Sequence, residues 1–275
     1  MPELPEVESV ARALRRHLAG RRLTGLEAPF PGVLGQPLRA TRRALLGKVF
    51  TDVHRRGKYM IATFSGDDPA DPHDRAHLMI HLRMTGQVFV LDGYVPDHHV
   101  HVSFDFDGLP VHYRDVRKFG RLTLVEDPVA PAALAHVGPD MLAVRWPEWR
   151  QRLGRRYAPI KAVLLDQGLA SGLGNIYVDE CLFLAGVRPT TPACDLDEAT
   201  LREILRRAKQ VLRLAITHGG TTFLNFTDFY GKPGNFRRKL RVYGRAGQPC
   251  RTCGGVLAKT TVAGRTSVYC PACQA

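Results

Sequence analysis

Ile160-Lys161-Ala162-Val163-Leu164-Leu165-Asp166-Gln167-Gly168-Leu169-Ala170-Ser171-Gly172-Leu173-Gly174-Asn175-Ile176-Tyr177 is the stretch on which the fold turns. Residues 160–167 carry a helical pattern, the glycines at 168, 172 and 174 break it, and a second helix runs from Asn175 to Leu184, closed by Gly186 and Pro189. Gly172-Leu173-Gly174 before a helix superficially looks like a dinucleotide-binding loop. That fold requires a strand ahead of the glycines, and a helix stands there instead. Helix, glycine turn, helix instead resembles a nucleic-acid-binding hairpin, in which turn amides and a helix N-terminus meet a phosphate. Asn175 reads as the N-cap of the second helix and as a phosphate contact, two compatible roles.

Working outward, Trp146 to Arg156 is basic and helix-compatible. A longer helix runs from Glu198 to about His218, capped by Asp195 or Asp197 and ended by Gly219-Gly220. Upstream the character is different. Leu78, Ile80, Leu82 and Met84 alternate, as do Val100, Val102, Phe104 and Phe106, and Asp107-Gly108 gives a hairpin signal. Asp67 to Asp74 reads as an exposed loop and Pro128 to Pro139 as a linker. Before the strands, Val7, Val10, Ala11, Leu14 and Leu18 form one apolar helical stripe that stops near Gly20. The expected fold class is α+β: a leading helix and a two-sheet β-sandwich to about residue 130, then a mostly helical domain, then a small metal module.

That module is written in its cysteines. Cys250-x2-Cys253 and Cys270-x2-Cys273, sixteen residues apart, suit one tetrahedral Zn²⁺ held by four thiolates across a hairpin. All four positions are filled by protein, so the ion is structural. Cys181 and Cys194 read as ordinary thiols.

The charge is strongly one-sided. Lys and Arg number 39 against 26 Asp and Glu, a formal net charge of +13, and no acidic residue follows Asp228. A basic C-terminal segment around structural cysteines points to a polyanionic partner. The N-terminus carries no secretory pattern and no apolar run is long enough to span a bilayer, so no membrane partner is expected. The expected location is cytoplasmic, with the chromosomal DNA.

The chain opens Met1-Pro2-Glu3-Leu4-Pro5-Glu6-Val7-Glu8. With Met1 removed, Pro2 presents a secondary amine able to attack an aldehyde carbon and form an iminium ion. Glu3, Glu6 and Glu8 bring carboxylates that can move protons. The plainer reading makes Pro2 part of a helix start followed by acids that favour the macrodipole. Likewise Lys58, in Arg55-Arg56-Gly57-Lys58-Tyr59, reads on its own as an exposed strand lysine. Met84 reads as one more member of its strand's apolar alternation. The cluster His98, His99, His101 puts His99 and His101 on one strand face, with no carboxylate partner to make a metal site.

Together, the N-terminal Pro-Glu-Leu-Pro-Glu-Val-Glu, the Gly-Asn-Ile-Tyr at 174–177 and the cysteine tail from Val242-Tyr243-Gly244-Arg245 to Gln274 resemble the formamidopyrimidine-DNA glycosylase family. The resemblance covers essentially the whole chain. It implies a DNA-formamidopyrimidine glycosylase with abasic-site lyase activity. Such an enzyme excises oxidised purines from duplex DNA, 8-oxoguanine opposite cytosine and formamidopyrimidines, then cuts the backbone by β,δ-elimination. On this resemblance Pro2 is the nucleophile at C1′ and Glu3 the acid/base, with Glu6 a second acidic position nearby. Lys58 contacts phosphate and assists β-elimination. Asn175 and Arg265 clamp phosphates, and Arg265 is tied to δ-elimination. Met84, Arg117 and Phe119 fill the space left in the duplex, and His99 contacts phosphate.

The implied domains are 2–130, the catalytic sandwich with its helix; 131–236, a helix-two-turn-helix domain with a lesion-recognition loop at 221–236; and 237–275, the zinc finger. The partner is damaged double-stranded DNA, with zinc as the one metal, no small-molecule cofactor, and a monomeric chain. Two rivals stand beside this reading. One is an endonuclease VIII-like glycosylase for oxidised pyrimidines, whose members resemble Pro-Glu-Gly at the start where this chain has Pro2-Glu3-Leu4. The other is a non-catalytic zinc-ribbon DNA-binding protein.

Overall fold

The computed structural model describes residues 1–68, 71, 74–90, 94–221 and 234–275. The chain divides into two compact units, Met1–Ala135 with His218–Asn235, and His136–Thr217 with Phe236–Ala275. Most of the 221–236 loop lies outside the described residues, as do four residues of the 67–74 stretch. No helix among the described residues is long and apolar enough to cross a membrane.

The first unit begins with helix α1 (Leu4–Leu18), followed by β1 (Leu23–Glu27), α2 (Leu38–Leu45), β2 (Val49–Arg56), β3 (Tyr59–Ser65), β4 (Arg75–His81), β5 (Gly86–Phe89), β6 (Val100–Phe106), β7 (Leu109–Asp115) and β8 (Arg121–Val125). Two four-stranded antiparallel sheets result, ordered β1-β6-β7-β5 and β2-β3-β4-β8. Their inner faces share one core, with Leu23, Val102, Phe104, Phe106 and Tyr113 from one sheet and Phe50, Met60, Phe64, Leu78 and Leu122 from the other. The α1 stripe enters the same core: Val7, Val10, Ala11, Leu14 and Leu18 are all buried. Each of its Val and Leu side chains contributes about 1.5–3 kcal/mol by leaving water. At the β6–β7 turn both Asp107 (φ 50°) and Gly108 (φ 81°) are left-handed, the geometry a two-residue hairpin needs.

Two expectations from alternation fail here. β4 ends at His81, so Met84 stands beyond the strand and is 42% exposed. β6 begins at Val100 and its register shifts between Val100 and Val102. His99 therefore lies outside the strand, while His101 turns inward and is buried.

The second unit contains α3 (Trp146–Leu153), α4 (Ile160–Leu165), α5 (Asn175–Ala185), α6 (Glu198–Thr217) and the hairpin of β9 (Ala258–Val262) with β10 (Arg265–Tyr269). Asp197 caps α6, its carboxylate accepting the Thr200 N–H at 2.8 Å. α5 ends on left-handed Gly186 and packs on α4, α6 and β10. The cysteine hairpin has its own small core of Phe183, Val242, Leu257 and Val268.

Candidate functional sites

At the N-terminus, Pro2 precedes the helix and is buried. Glu3 occupies the N-cap and Pro5 is the proline inside the first turn, so the helix-start role read for Pro2 belongs to Pro5. Glu3 and Glu6 form a capping box in which the Glu6 Oε2 accepts the Glu3 N–H at 2.8 Å. The other oxygen of Glu6 accepts the Thr221 N–H at 2.6 Å. Thr221 and Asn235 pair in an isolated bridge, and the Asn235 N–H donates to the His218 carbonyl at 3.0 Å. Both ends of the 221–235 segment are thus fastened together, and one end is fastened to Glu6.

Glu8, the third acid of the opening segment, is held by two arginines. Burial pushes its carboxyl up, but hydrogen bonds from Arg12 and Arg55, each at 2.8 Å, outweigh burial and hold it below the usual range. It is an ionised anchor, not a proton carrier. Arg55 also donates to the Gly57 carbonyl at 2.9 Å, which draws the β2–β3 turn toward α1. Lys58 sits in that turn. It is 6% exposed, so the exposed-strand reading is overturned. Next to the turn, the Tyr59 and His81 rings stack with centroids 4.1 Å apart. Burial, aided by the charges of Arg83 and Lys58, drives the His81 imidazole down to about 3, so it is neutral at pH 7.

Met84, Arg117 and Phe119 lie on two neighbouring turns of the same unit, joined where the Arg117 N–H donates to Thr85 Oγ at 3.2 Å. Phe119 is 49% exposed, and the Arg117 guanidinium sits 4.5 Å from its ring centroid. Beneath them lies Asp115, fully buried, whose carboxylate receives hydrogen bonds from both turns. Burial and Asp115 push the Tyr113 hydroxyl up, which keeps it protonated and donating to that carboxylate at 3.2 Å. The rings of His99 and His98 lie 3.8 Å apart, and burial and neighbouring charge hold the His99 imidazole below its usual range. Among the described residues the histidines form no metal cluster.

In the second unit Asn175 is not an N-cap. Gly174, extended at φ −136°, takes that place, and its carbonyl accepts the Val178 N–H at 3.0 Å. As first helical residue, Asn175 instead donates from Nδ2 to the Thr266 carbonyl at 2.9 Å, while its buried Oδ1 has no partner among the described residues. The same carbonyl accepts Lys161 Nζ at 2.9 Å. Lys161 also pairs with Asp179 at 2.7 Å, both side chains wholly buried, and Asp179 accepts Ser267 Oγ (2.7 Å) and the Val268 N–H (3.0 Å). Residues 266–268 of β10 are therefore bolted to α4 and α5. Arg265, exposed at the start of β10, takes its direction from that anchorage. Glu180 accepts the N–H groups of Arg241, Val242 and Tyr243 at 2.9 Å, securing the approach to the cysteines. Sequence reading passed over Asp115, Lys161, Asp179 and Glu180. For Lys161, Asp179 and Glu180 a charged residue inside an apolar run is the available signal, yet the partners stand as far as 105 residues away.

The Sγ atoms of Cys250, Cys253, Cys270 and Cys273 all lie within 4.8 Å of one another. Tetrahedral zinc with bonds of about 2.3 Å places thiolates about 3.8 Å apart. The Cys250–Cys273 and Cys253–Cys270 separations, 3.9 and 3.4 Å, fit one ion.

Against known proteins, residues 1–122 match the formamidopyrimidine-DNA glycosylase N-terminal domain, 137–227 the formamidopyrimidine-DNA glycosylase H2TH domain, and 247–275 a zinc finger found in FPG and IleRS. The chain belongs to the formamidopyrimidine-DNA glycosylase family. The formamidopyrimidine-DNA glycosylase of Desulfitobacterium hafniense is 39% identical over 282 residues, with 100% of both chains covered. A Lactococcus lactis FPG mutant solved in complex with Fapy-dG containing DNA superimposes with a TM-score of 0.89 at 34% identity, covering 99% of each chain. Wild-type Lactococcus lactis FPG bound to DNA containing an oxidised pyrimidine gives 0.88 at 35% identity, again over 99% of each. Membership in this glycosylase family makes the chain an enzyme of DNA repair and sets aside the non-catalytic zinc-ribbon reading.

Proposed function

We propose that this chain excises oxidised purines, 8-oxoguanine opposite cytosine and formamidopyrimidines, and then cleaves the abasic site by β,δ-elimination. Removal of Met1 is required, because an acylated proline nitrogen has no lone pair to donate. The free Pro2 nitrogen attacks C1′ and the bond to the base breaks; the base leaves with a proton. Glu3 protonates the ring oxygen as the sugar opens, giving an iminium at C1′. The iminium acidifies the C2′ protons. Loss of one expels the 3′-phosphate, and a second elimination expels the 5′-phosphate. Lys58 and Arg265 hold the departing phosphates, Asn175 and His99 grip the flanking backbone, and Met84, Arg117 and Phe119 occupy the gap left by the extruded nucleotide. Zinc, held by its four thiolates, keeps the hairpin bearing Arg265 folded. The enzyme acts as a monomer on chromosomal DNA without a small-molecule cofactor.

The observation that carries the reading is the buried Pro2-Glu3-Glu6 start. All three residues are buried, and the Glu6 carboxylate accepts the Glu3 and Thr221 N–H groups. Single-turnover assays on an 8-oxoguanine:cytosine duplex test it: Pro2→Gly loses the covalent intermediate, and Glu3→Gln loses base release. The oxidised-pyrimidine complex of the Lactococcus lactis relative gives the rival specificity a footing. A thymine-glycol duplex run in parallel decides, and faster release of thymine glycol than of 8-oxoguanine rejects the purine assignment.

A further inference from the structure

Asp115 takes no part in the chemistry at Pro2, yet its carboxylate is fully buried and fully used. Oδ1 accepts Thr85 Oγ and, at 3.2 Å, the Arg117 N–H; Oδ2 accepts the Gly120 N–H at 2.8 Å and the Tyr113 hydroxyl at 3.2 Å. Its carbonyl adds the Lys118 N–H at 3.2 Å and the His101 ring at 2.7 Å. Thr85 follows Met84, while Arg117 and Gly120 bracket Phe119, so one carboxylate is shared by two turns distant in sequence.

The turns are under conformational demand. Arg83 (φ 53°) and Lys118 (φ 58°), one on each, adopt the left-handed backbone that side-chain-bearing residues avoid and that persists only when surroundings impose it. Both turns also press on the Tyr113 hydroxyl. A Cβ at Gly120 would fall 1.7 Å from that oxygen, and one at Gly86 3.0 Å from it. Above this buried cluster Met84 and Phe119 remain exposed.

We propose that Asp115 is a positioning residue that locks the Met84 turn and the Arg117–Phe119 turn into a single preformed wedge, so that both enter the DNA as one body. The proposal rests on the reading of Met84, Arg117 and Phe119 as insertion residues. Its physical gain is preorganisation: a wedge already ordered loses no conformational entropy on entering the stack.

A mutant cycle separates this role from simple support of the sandwich. Single-turnover release of 8-oxoguanine is compared for wild type, Asp115→Asn, Met84→Ala/Phe119→Ala and the combined triple variant, below the melting temperature of each. Asp115→Asn is expected to slow release about tenfold or more, as misplacement of binding groups does. In the wedge-less background the same substitution is expected to change the rate by less than about twofold, because coupled residues are not additive. Thr85→Val, which removes one donor and leaves the core intact, runs the same cycle with an effect of about threefold, and it carries the test if Asp115→Asn does not fold. Equal slowing with and without the wedge overturns the proposal, as does a wild-type rate for both single variants. If Met84→Ala/Phe119→Ala itself releases base at the wild-type rate, the insertion reading has failed, and the lock falls with it.

Discussion

Glu6 and Thr221 are 215 residues apart in the chain and 2.6 Å apart in space, the Glu6 carboxylate accepting the Thr221 N–H. Because the other oxygen of Glu6 holds the Glu3 N–H, one buried side chain sets both the N-cap beside Pro2 and the start of the 221–236 segment. Glu6→Gln places an amide N–H against a backbone donor. The expected cost is about 1–3 kcal/mol in urea denaturation. Base release from 8-oxoguanine DNA should fall more than cleavage of a preformed abasic site, because only the first reaction needs the base held as well as the sugar. Equal losses in both reactions would show that Glu6 serves the nucleophile alone.

The Lys161–Asp179 pair predicts a separable defect. Lys161→Met leaves a buried carboxylate without its cation and should destabilise the second unit by about 3–5 kcal/mol, while Lys161→Met/Asp179→Leu recovers most of that. Since the pair anchors residues 266–268 beside Arg265, the single variant should shift products from δ- toward β-elimination, read on a denaturing gel. An unchanged product ratio at reduced stability contradicts the link to Arg265.

Much of this architecture is legible in the sequence because it is local. Four cysteines at fixed spacing specify a metal, the α1 stripe specifies a buried face, and Asp107-Gly108 specifies a hairpin. What sequence reading misses is long-range or lies at a boundary. Alternation carries Met84 onto a strand that has already ended at His81, and assigns His101 a face that the β6 irregularity changes. Asn175 looks like a cap because Asn favours that position, but the preceding Gly174 is already extended and takes it. Asp115 gives no warning at all: its donors at Thr85 and Gly120 are set by turn geometry, not by spacing.

His81 predicts a pH effect with a definite sign. Its folded value, about 3, lies below the ordinary 6.5, so between these values the unfolded chain binds more protons. Stability is unaffected above pH 6.5 and falls as the solution is acidified through that window, by about 3 kcal/mol at pH 4 from this group. Urea midpoints at pH 7 and pH 4 should show a smaller acid loss in His81→Gln than in wild type; parallel losses would contradict the assignment.

Zinc removal should act on the second unit alone. Structural zinc contributes on the order of 10 kcal/mol to folding in small modules, far more than the small apolar cluster of the hairpin supplies. Chelation should abolish strand cleavage and release one zinc ion per chain. Amides of β2, β3 and β4 should keep their hydrogen-exchange protection. Strand cleavage persisting after complete metal loss would show that the hairpin holds Arg265 without the ion.

The most direct measurement is borohydride reduction of the protein during reaction with an 8-oxoguanine duplex, followed by peptide mass mapping of the trapped adduct. The proposed chemistry predicts a chain lacking Met1 with the sugar remnant on the Pro2 nitrogen. An adduct on a lysine, or trapping by a chain that still carries Met1, contradicts it.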